Sequence, residues 1–232
     1  DVHCHIDFEF SAKERKREPE FLWLPKAEAM GMRGVVLKSH WWPTINVVPY
    51  ILASVETKVE LWSSVALNST AGGPNPCVIE ACAELGGKMV FLPTWSARND
   101  VERKGFSSRI QSYYKSHAKL ENPNYYFLDD SGKLVPRGYE IIEACKAHDL
   151  TLGMGHVSWQ ESLAFIEAAR DLGYSHRIVV NHVQSHIIGM PVDAMKRAAE
   201  MGAFLEACWN ALAPGRMDSP DLVKQFREVG LR

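Results

Sequence analysis

Short runs of β-branched and apolar residues recur along this 232-residue chain at intervals of roughly 25 to 30 residues, and helical segments follow most of them. The seven runs lie at residues 1–6, 33–39, 59–68, 88–93, 151–156, 177–182 and 203–207. An interval of this size fits one strand and one helix, and such alternation indicates a parallel sheet with the helices outside. The sequence therefore predicts an α/β fold, most simply a (β/α)8 TIM-barrel-like fold in which about seven strand–helix units are present and the eighth strand is missing. An open doubly wound sheet is the alternative, made less attractive because no G-x-G-x-x-G follows the first strand.

Capping residues and prolines mark the predicted helix starts. Each is followed by an apolar-periodic segment that a glycine closes. The signals are Asn75-Pro76, Ser158 with Glu161 as a capping box, Pro191, and Ser219-Pro220.

The interval between the fourth and fifth runs is about twice as long as the others, which predicts an insertion at 97–136 within a single domain spanning 1–232. Within it, residues 100–119 have a helical composition, and residues 125–135 indicate a hairpin. A lid, a subunit contact in a homo-oligomer, and a surface excursion all fit this position. The charge run at 13–18 is typical of a solvated surface.

Composition excludes several classes of protein. The net charge of −2 offers no basic face for nucleic acid, and no run of 18 apolar residues is present to cross a membrane. The five cysteines are odd in number and contain no C-x-x-C pair, which indicates reduced thiols and a cytoplasmic protein.

Five of the nine histidines lie on or just beyond predicted strands, so a parallel barrel would bring their side chains to one face. They are His3, His5, His40, His156 and His182. Converging neutral imidazoles form sites for Zn²⁺ or a similar divalent ion, with Mn²⁺ or Fe²⁺ as alternatives. Because strand side chains alternate, His3 and His5 project to the same side and are the strongest ligand candidates.

Lys38 shares a side of its strand with His40 by the same alternation. It is a candidate to bind an anionic substrate, to act as an acid or base, or to be a carboxylated ligand, and a salt bridge is the structural alternative. His182, His40 and Glu206 are the candidate bases. Glu206 lies in a strand, where it would accept from an imidazole N–H, bind metal or form an ion pair.

The substrate pocket is predicted from residues that follow the strand ends. The loop at 72–76, including Gly73, could offer backbone N–H groups to an anion, although a plain turn is the alternative. Trp42 belongs to a set of tryptophans that could wall a pocket. Asn68 and Thr94 are further candidates for substrate binding.

The D-x-H-x-H motif at residues 1–5, with single histidines closing the fifth and sixth strands, resembles the amidohydrolase superfamily of metal-dependent hydrolases. The segments V-L-K-S-H at 36–40, L-P-T at 92–94 and G-H-V-S at 155–158 resemble an uncharacterised amidohydrolase-like branch known only as a domain of unknown function. The resemblance implies that His3, His5, His156 and His182 bind the metal.

Two departures from the superfamily pattern stand out. The fourth strand ends in F-L-P-T, without the lysine or glutamate that bridges two metals. The aspartate expected at the end of an eighth strand has no counterpart, since the chain ends at Arg232. A barrel truncated at both ends is the interpretation that this favours.

The sequence thus predicts a metal-dependent hydrolase that cleaves a small-molecule amide, ester or lactone. Three alternatives stay open: a metal-dependent decarboxylase, a phosphoesterase of the polymerase-and-histidinol-phosphatase type, and a non-catalytic incomplete barrel.

Overall fold

The computed structural model describes residues 1–6, 18–113 and 123–230. Most of the charge run at 13–18 and the end of the predicted helical stretch at 100–119 lie outside the described residues. Within them, the strands are β1 Cys4–His5, β2 Gly34–Lys38, β3 Glu60–Trp62, β4 Ser64–Ala66, β5 Met89–Phe91, β6 Thr151–Gly153, β7 Ile178–Val180 and β8 Phe204–Leu205. The α-helices are α1 Glu20–Ala29, α2 Val48–Ser54, α3 Pro76–Glu84, α4 Arg98–Glu102, α5 Phe106–Tyr113, α6 Pro136–Ala147, α7 Trp159–Asp171, α8 Val192–Glu200 and α9 Ser219–Val229.

The strands pair in parallel and in chain order, as the strand–helix spacing predicts. One sheet has the order β1-β2-β3 and the other has the order β4-β5-β6-β7-β8. The α/β class is therefore confirmed.

The third predicted strand, at 59–68, is wrong as a single element. It divides at Ser63 into β3, which pairs with β2, and β4, which pairs with β5. Side chains replace the backbone ladder there, because Thr44 Oγ1 and Ser64 Oγ both donate to Leu37 O, at 2.9 and 2.6 Å. Ser64 N in turn donates to Thr44 Oγ1 at 2.8 Å, so these buried polar groups are satisfied without a continuous strand pair.

Apolar side chains lie on both faces of the strands. On the helix side, Val35 and Leu37 of β2 pack with α1 and α2, and a larger cluster packs β4–β7 against α3, α6, α7 and α8. On the opposite face, Val36 joins Phe91 and Val179 in a separate buried cluster. The alternation of β2 therefore places Lys38 on the face of Val36, away from the helices.

The helix-start signals are largely confirmed. Asn75 caps α3 by accepting from Cys77 N, and Ser158 with Glu161 forms a capping box on α7. The prediction for α9 is wrong by one residue, because Asp218 is the cap and Ser219 is already helical.

The insertion holds α4, α5 and a small hairpin. The hairpin is reduced to one antiparallel bridge between Leu128 and Leu134, around a turn stabilised by the Asp129 carboxylate. None of the described helices is both long enough and apolar enough to span a bilayer. All five cysteines are described, and no disulfide joins them.

Candidate functional site

Five imidazoles meet beyond the carboxyl ends of the parallel strands and form what we call the histidine cluster: His3, His5, His40, His156 and His182. Ring centroids are 5.0 Å apart for His3–His5, 4.6 Å for His5–His40 and 5.7 Å for His40–His156. The ring centroids of His156 and His182 are 5.0 Å apart and those of His182 and His3 are 5.5 Å apart, so each imidazole contacts two others in a closed ring of contacts. Two side chains from β1 and its start and three from the ends of β2, β6 and β7 thus form one continuous group.

Local backbone geometry directs two of these imidazoles. Gly155 has φ +58°, and a Cβ there would lie 2.3 Å from Leu92 O, so only glycine fits immediately before His156. His182 itself has φ +35°, a region that non-glycine residues rarely adopt. The chain accepts this strain at the end of β7, next to the cluster.

Carboxylates hold two of the imidazoles from behind. Glu206 Oε1 lies 2.8 Å from His3 Nδ1, and Asp100 Oδ2 lies 2.6 Å from His156 Nδ1. Burial alone would raise the pKa of each carboxyl, but the contacts with the histidines and with the other neighbouring donors together outweigh it and lower both pKa values, to about 2 for Glu206. Ionised carboxylates can only accept, so Nδ1 carries the proton in both histidines and Nε2 keeps its lone pair.

The surroundings favour the neutral form of four of the five imidazoles in the cluster. Burial, helped by Lys38, lowers the pKa of His3 to about 4, although Glu206 acts in the opposite direction. Burial also lowers the pKa of His40, His156 and His182. Neutral imidazoles are the protonation state in which histidine binds a metal ion.

His40 is held by a buried polar network. Its Nδ1 lies 2.8 Å from Thr94 Oγ1, and Asn68 Nδ2 donates to both His40 O and Thr94 Oγ1. Asn68 Oδ1 accepts from the backbone N–H groups of Thr94 and Ser96. Asn68 and Thr94 are fully buried, so the structure places both residues as supports of His40, a different role from the predicted substrate contact.

Lys38 is fully buried against the histidine cluster. Its Nζ lies 3.0 Å from His3 Nε2 and 4.7 Å from the centroid of the Phe91 ring. His5 Nε2 lies 3.2 Å from the same His3 nitrogen. Lys38 therefore lies beside the paired histidines of β1.

Glu206 follows β8 directly and makes three side-chain contacts. It accepts from His3, from Asn181 Nδ2 and from Cys208 Sγ, the last at 2.7 Å. Among the described residues, only His3, Glu206 and Cys208 form a set of three whose ligand atoms all lie within 4.8 Å of one another. The four predicted ligands His3, His5, His156 and His182 are neighbours, but their nitrogens do not meet this criterion.

Two predicted substrate contacts are corrected. The N–H of Gly73 donates to Asn68 O and that of Gly72 to Ser69 O, while Asn75 N donates to Gly73 O, so the loop has no N–H left for an anion. Gly73 is needed for a different reason, since a Cβ there would lie 2.5 Å from the Tyr125 hydroxyl. Trp42 is 65% exposed, whereas Trp95 is buried and donates to His40 O.

The insertion contributes residues that sequence reasoning missed. Asp100 of α4 is fully buried and also accepts from Phe106 N and Ser107 N, at the start of α5. Phe106 stacks on His40 with a centroid distance of 4.0 Å. The available signal was an acidic residue a few positions beyond the fourth predicted strand, which is β5 in the structure. Asp100 lies in a polar helical segment, where charged residues usually face solvent, so the signal is weak.

Asn181 and Cys208 were missed as well. Asn181 lies between β7 and His182, where its Oδ1 accepts from Gly155 N and its Nδ2 donates to Glu206. Its position directly before a strand-end histidine was the available signal. Cys208 lies two residues beyond Glu206, and burial together with the neighbouring Glu206 raises the pKa of its thiol.

The comparisons with known proteins bear on family and not on activity. No curated protein matches this sequence. The model of a family of unknown function, DUF6282, matches residues 1–206. This range includes the whole histidine cluster, Lys38, Asp100 and Glu206, and it stops short of Cys208 and α9. The chain belongs to the family of unknown function DUF6282.

Proposed function

We propose that this protein is a metal-dependent hydrolase that cleaves a small-molecule amide, ester or lactone. The observation that carries the proposal is the histidine cluster, in which five imidazoles are gathered and four of them are held in the neutral form. Two of these four, His3 and His156, are each backed by a buried carboxylate. This carboxylate–histidine arrangement is the one that metal-binding imidazoles use, because it fixes the tautomer and raises ligand basicity.

The donor set fits a divalent ion. Glu206 and Asp100 occupy the Nδ1–H groups of His3 and His156, so their lone pairs are on Nε2. The Nε2 lone pair of His3 accepts from Lys38 Nζ at 3.0 Å and would exchange this contact for the cation. His5 lies close enough to share an ion with His3 after a small side-chain adjustment, since their Nε2 atoms are 3.2 Å apart. We assign His3, His5 and His156 as ligands, with Zn²⁺ favoured by the nitrogen donors and Mn²⁺ or Fe²⁺ as alternatives. Such an ion would supply Lewis acidity, which activates water at neutral pH and polarises the scissile group.

We assign the proton-transfer role to His182. Its Nδ1 has a long 3.4 Å contact with Ser185 Oγ, in contrast to the carboxylates that hold His3 and His156. The imidazole is neutral and contacts both His3 and His156, so its ring can take a proton from water and return it to the leaving group. Glu206 is a positioning residue in this scheme, because His3, Asn181 and Cys208 already occupy its oxygens.

Lys38 is assigned to substrate binding. Its ammonium lies at the cluster, beside His3 Nε2, where it can bind a carboxylate or another anionic group of the substrate. An anion there would be oriented against the ligand residues by a charge-assisted contact.

The barrel is also a proposal. Parallel strands in chain order, a buried apolar cluster on the face away from the helices, and the His3–Glu206 contact between the first and last strand ends all support a curved, barrel-like sheet.

The function is tested with a panel of chromogenic amides, esters and lactones, assayed after reconstitution with Zn²⁺, Mn²⁺ or Fe²⁺. We expect hydrolysis of at least one class that chelation abolishes, that His156→Ala removes and that His176→Ala leaves intact. His176 is an exposed histidine before β7, at the opposite end of the strand from the cluster. Chelator-resistant hydrolysis, or equal activity in both variants, would contradict the proposal.

Lys38 favours one second candidate, a metal-dependent phosphoesterase, because a buried ammonium beside imidazoles suits a phosphate group. Chelator-sensitive release of phosphate from a chromogenic phosphoester, without turnover of amides, esters or lactones, would favour this candidate over the first.

A further inference from the structure

The two ring nitrogens of His3 have different surroundings. Nε2 faces the interior of the histidine cluster, 3.0 Å from Lys38 Nζ and 3.2 Å from His5 Nε2. Nδ1 faces outward, 2.8 Å from Glu206 Oε1 and 3.8 Å from Cys208 Sγ. Cys208 Sγ in turn lies 2.7 Å from Glu206 Oε1, so a nitrogen, an oxygen and a sulfur donor meet at one point.

We propose that His3 Nδ1, Glu206 and Cys208 form a second cation site, selective for a thiophilic divalent ion such as Zn²⁺ or Cd²⁺. The donor set combines a thiol, an imidazole and a carboxylate, which are the three ligand types that Zn²⁺ uses in proteins. The three residues are intermediate in burial, and the side chains of His3 and Glu206 are 5% and 13% exposed, so the donor atoms lie just below the surface. Magnesium and calcium, which prefer oxygen ligands, do not suit this set.

We call this second cation site the outer site. Its occupation changes which ring nitrogen of His3 has a lone pair available to the histidine cluster. A neutral imidazole has one lone pair and one N–H, and Glu206 holds the N–H at Nδ1 in the metal-free protein. An ion bound at Nδ1 takes the lone pair there, displaces the Cys208 thiol proton to solvent and leaves the ring proton on Nε2. His3 then no longer offers Nε2 to the cluster, so the outer site acts as an inhibitory site. This consequence rests on the proposed function, whereas the existence of the outer site does not.

The test is a Cd²⁺ titration of the chelator-treated, full-length protein, followed by the ultraviolet charge-transfer absorbance of the cadmium–thiolate bond. We expect a saturable band that Cys208→Ser abolishes and that Cys77→Ser leaves unchanged, since Cys77 is exposed on α3. Cys4→Ser is the second control, because Cys4 is a partly buried thiol on the neighbouring β1. Glu206→Gln should weaken Cd²⁺ binding by about 10- to 100-fold.

An unchanged band in Cys208→Ser overturns the outer site, as does loss of the band in Cys4→Ser with retention in Cys208→Ser. Circular dichroism of each variant separates loss of a ligand from loss of the fold. The two proposals fail separately. If the protein hydrolyses its substrate with a metal but shows no Cys208-dependent band, only the outer site is wrong. If the band is present without any metal-dependent hydrolysis, the outer site stands and the proposed function fails.

Discussion

Asp100→Asn tests whether a buried carboxylate from the insertion organises the cluster. Asp100 Oδ2 accepts from His156 Nδ1 at 2.6 Å and from Phe106 N at 3.0 Å, and Oδ1 accepts from Ser107 N at 2.7 Å. An asparagine supplies one oxygen and one NH2 group. In its better orientation, the asparagine oxygen takes the place of Oδ2 and keeps the bonds from His156 and Phe106, but these two bonds lose their charge. The NH2 group then takes the place of Oδ1, so the bond from Ser107 N is lost and two donors face each other.

The cost follows from those contacts. A buried donor left unsatisfied costs about 1–3 kcal/mol, and a hydrogen bond to a charged group contributes about 1.5–3 kcal/mol. We therefore expect Asp100→Asn to lower the free energy of unfolding by about 3 kcal/mol. Because the acceptor that fixes the tautomer of His156 becomes a neutral amide oxygen, metal affinity should also fall, by about 10- to 100-fold.

Urea denaturation gives the stability change, and competition with a chromogenic chelator gives the metal affinity. Asp129→Asn is the matched control, because Asp129 also accepts three hydrogen bonds, from Ser131 and Lys133, but lies in an exposed turn. We expect this control to change stability by no more than about 0.5 kcal/mol and metal affinity not at all. If Asp100→Asn matches the control in both measurements, the role assigned to Asp100 is wrong.

Two further predictions concern acid stability and the backbone. In chelator, the folded state binds fewer protons than the unfolded state between pH 6.5 and about 4, because the pKa of His3 falls from 6.5 to about 4 on folding. The contribution of His3 to the free energy of unfolding should therefore be greatest above pH 6.5 and should decline as the pH falls to about 4. In urea titrations at several pH values, His3→Gln should make this decline smaller by about 3 kcal/mol. An unchanged decline in the variant would refute the assignment. Gly155→Ala should destabilise more than Gly132→Ala in thermal unfolding, because both positions have positive φ but only at 155 would the Cβ meet an atom, Leu92 O at 2.3 Å. Equal losses would show that the close approach is unimportant.

The strand–helix rhythm and the inward histidines could be predicted because they depend on local pattern. Alternation along a strand places His3 with His5 and Lys38 with His40, and parallel pairing brings strand ends to one edge. Capping boxes such as Ser158 with Glu161 are equally local, which is why the start of α7 was correct.

The parts that could not be predicted depend on contacts between distant residues. Asp100 reaches His156 across 56 positions, and Glu206 reaches His3 across 203, and neither pairing leaves a local pattern. The break in the third strand has the same origin, since Thr44 replaces its backbone partners from a separate segment. Asn68 and Thr94 have polar side chains suited to a ligand, and only the structure shows that His40 and the backbone already use them.

The proposed function requires the histidine cluster to hold a divalent ion. Elemental analysis counts the bound ions of the purified protein after reconstitution with Zn²⁺, Mn²⁺ or Fe²⁺ and removal of loose ions. It is applied to Cys208→Ser, which lacks the outer site, and to His5→Ala and His176→Ala made in that background. We predict at least one tightly bound ion per chain in Cys208→Ser and in its His176→Ala derivative, and loss of this ion in the His5→Ala derivative. A Cys208→Ser protein that retains no stoichiometric ion, or a His5→Ala derivative that retains as much as Cys208→Ser, would refute the proposed metal site.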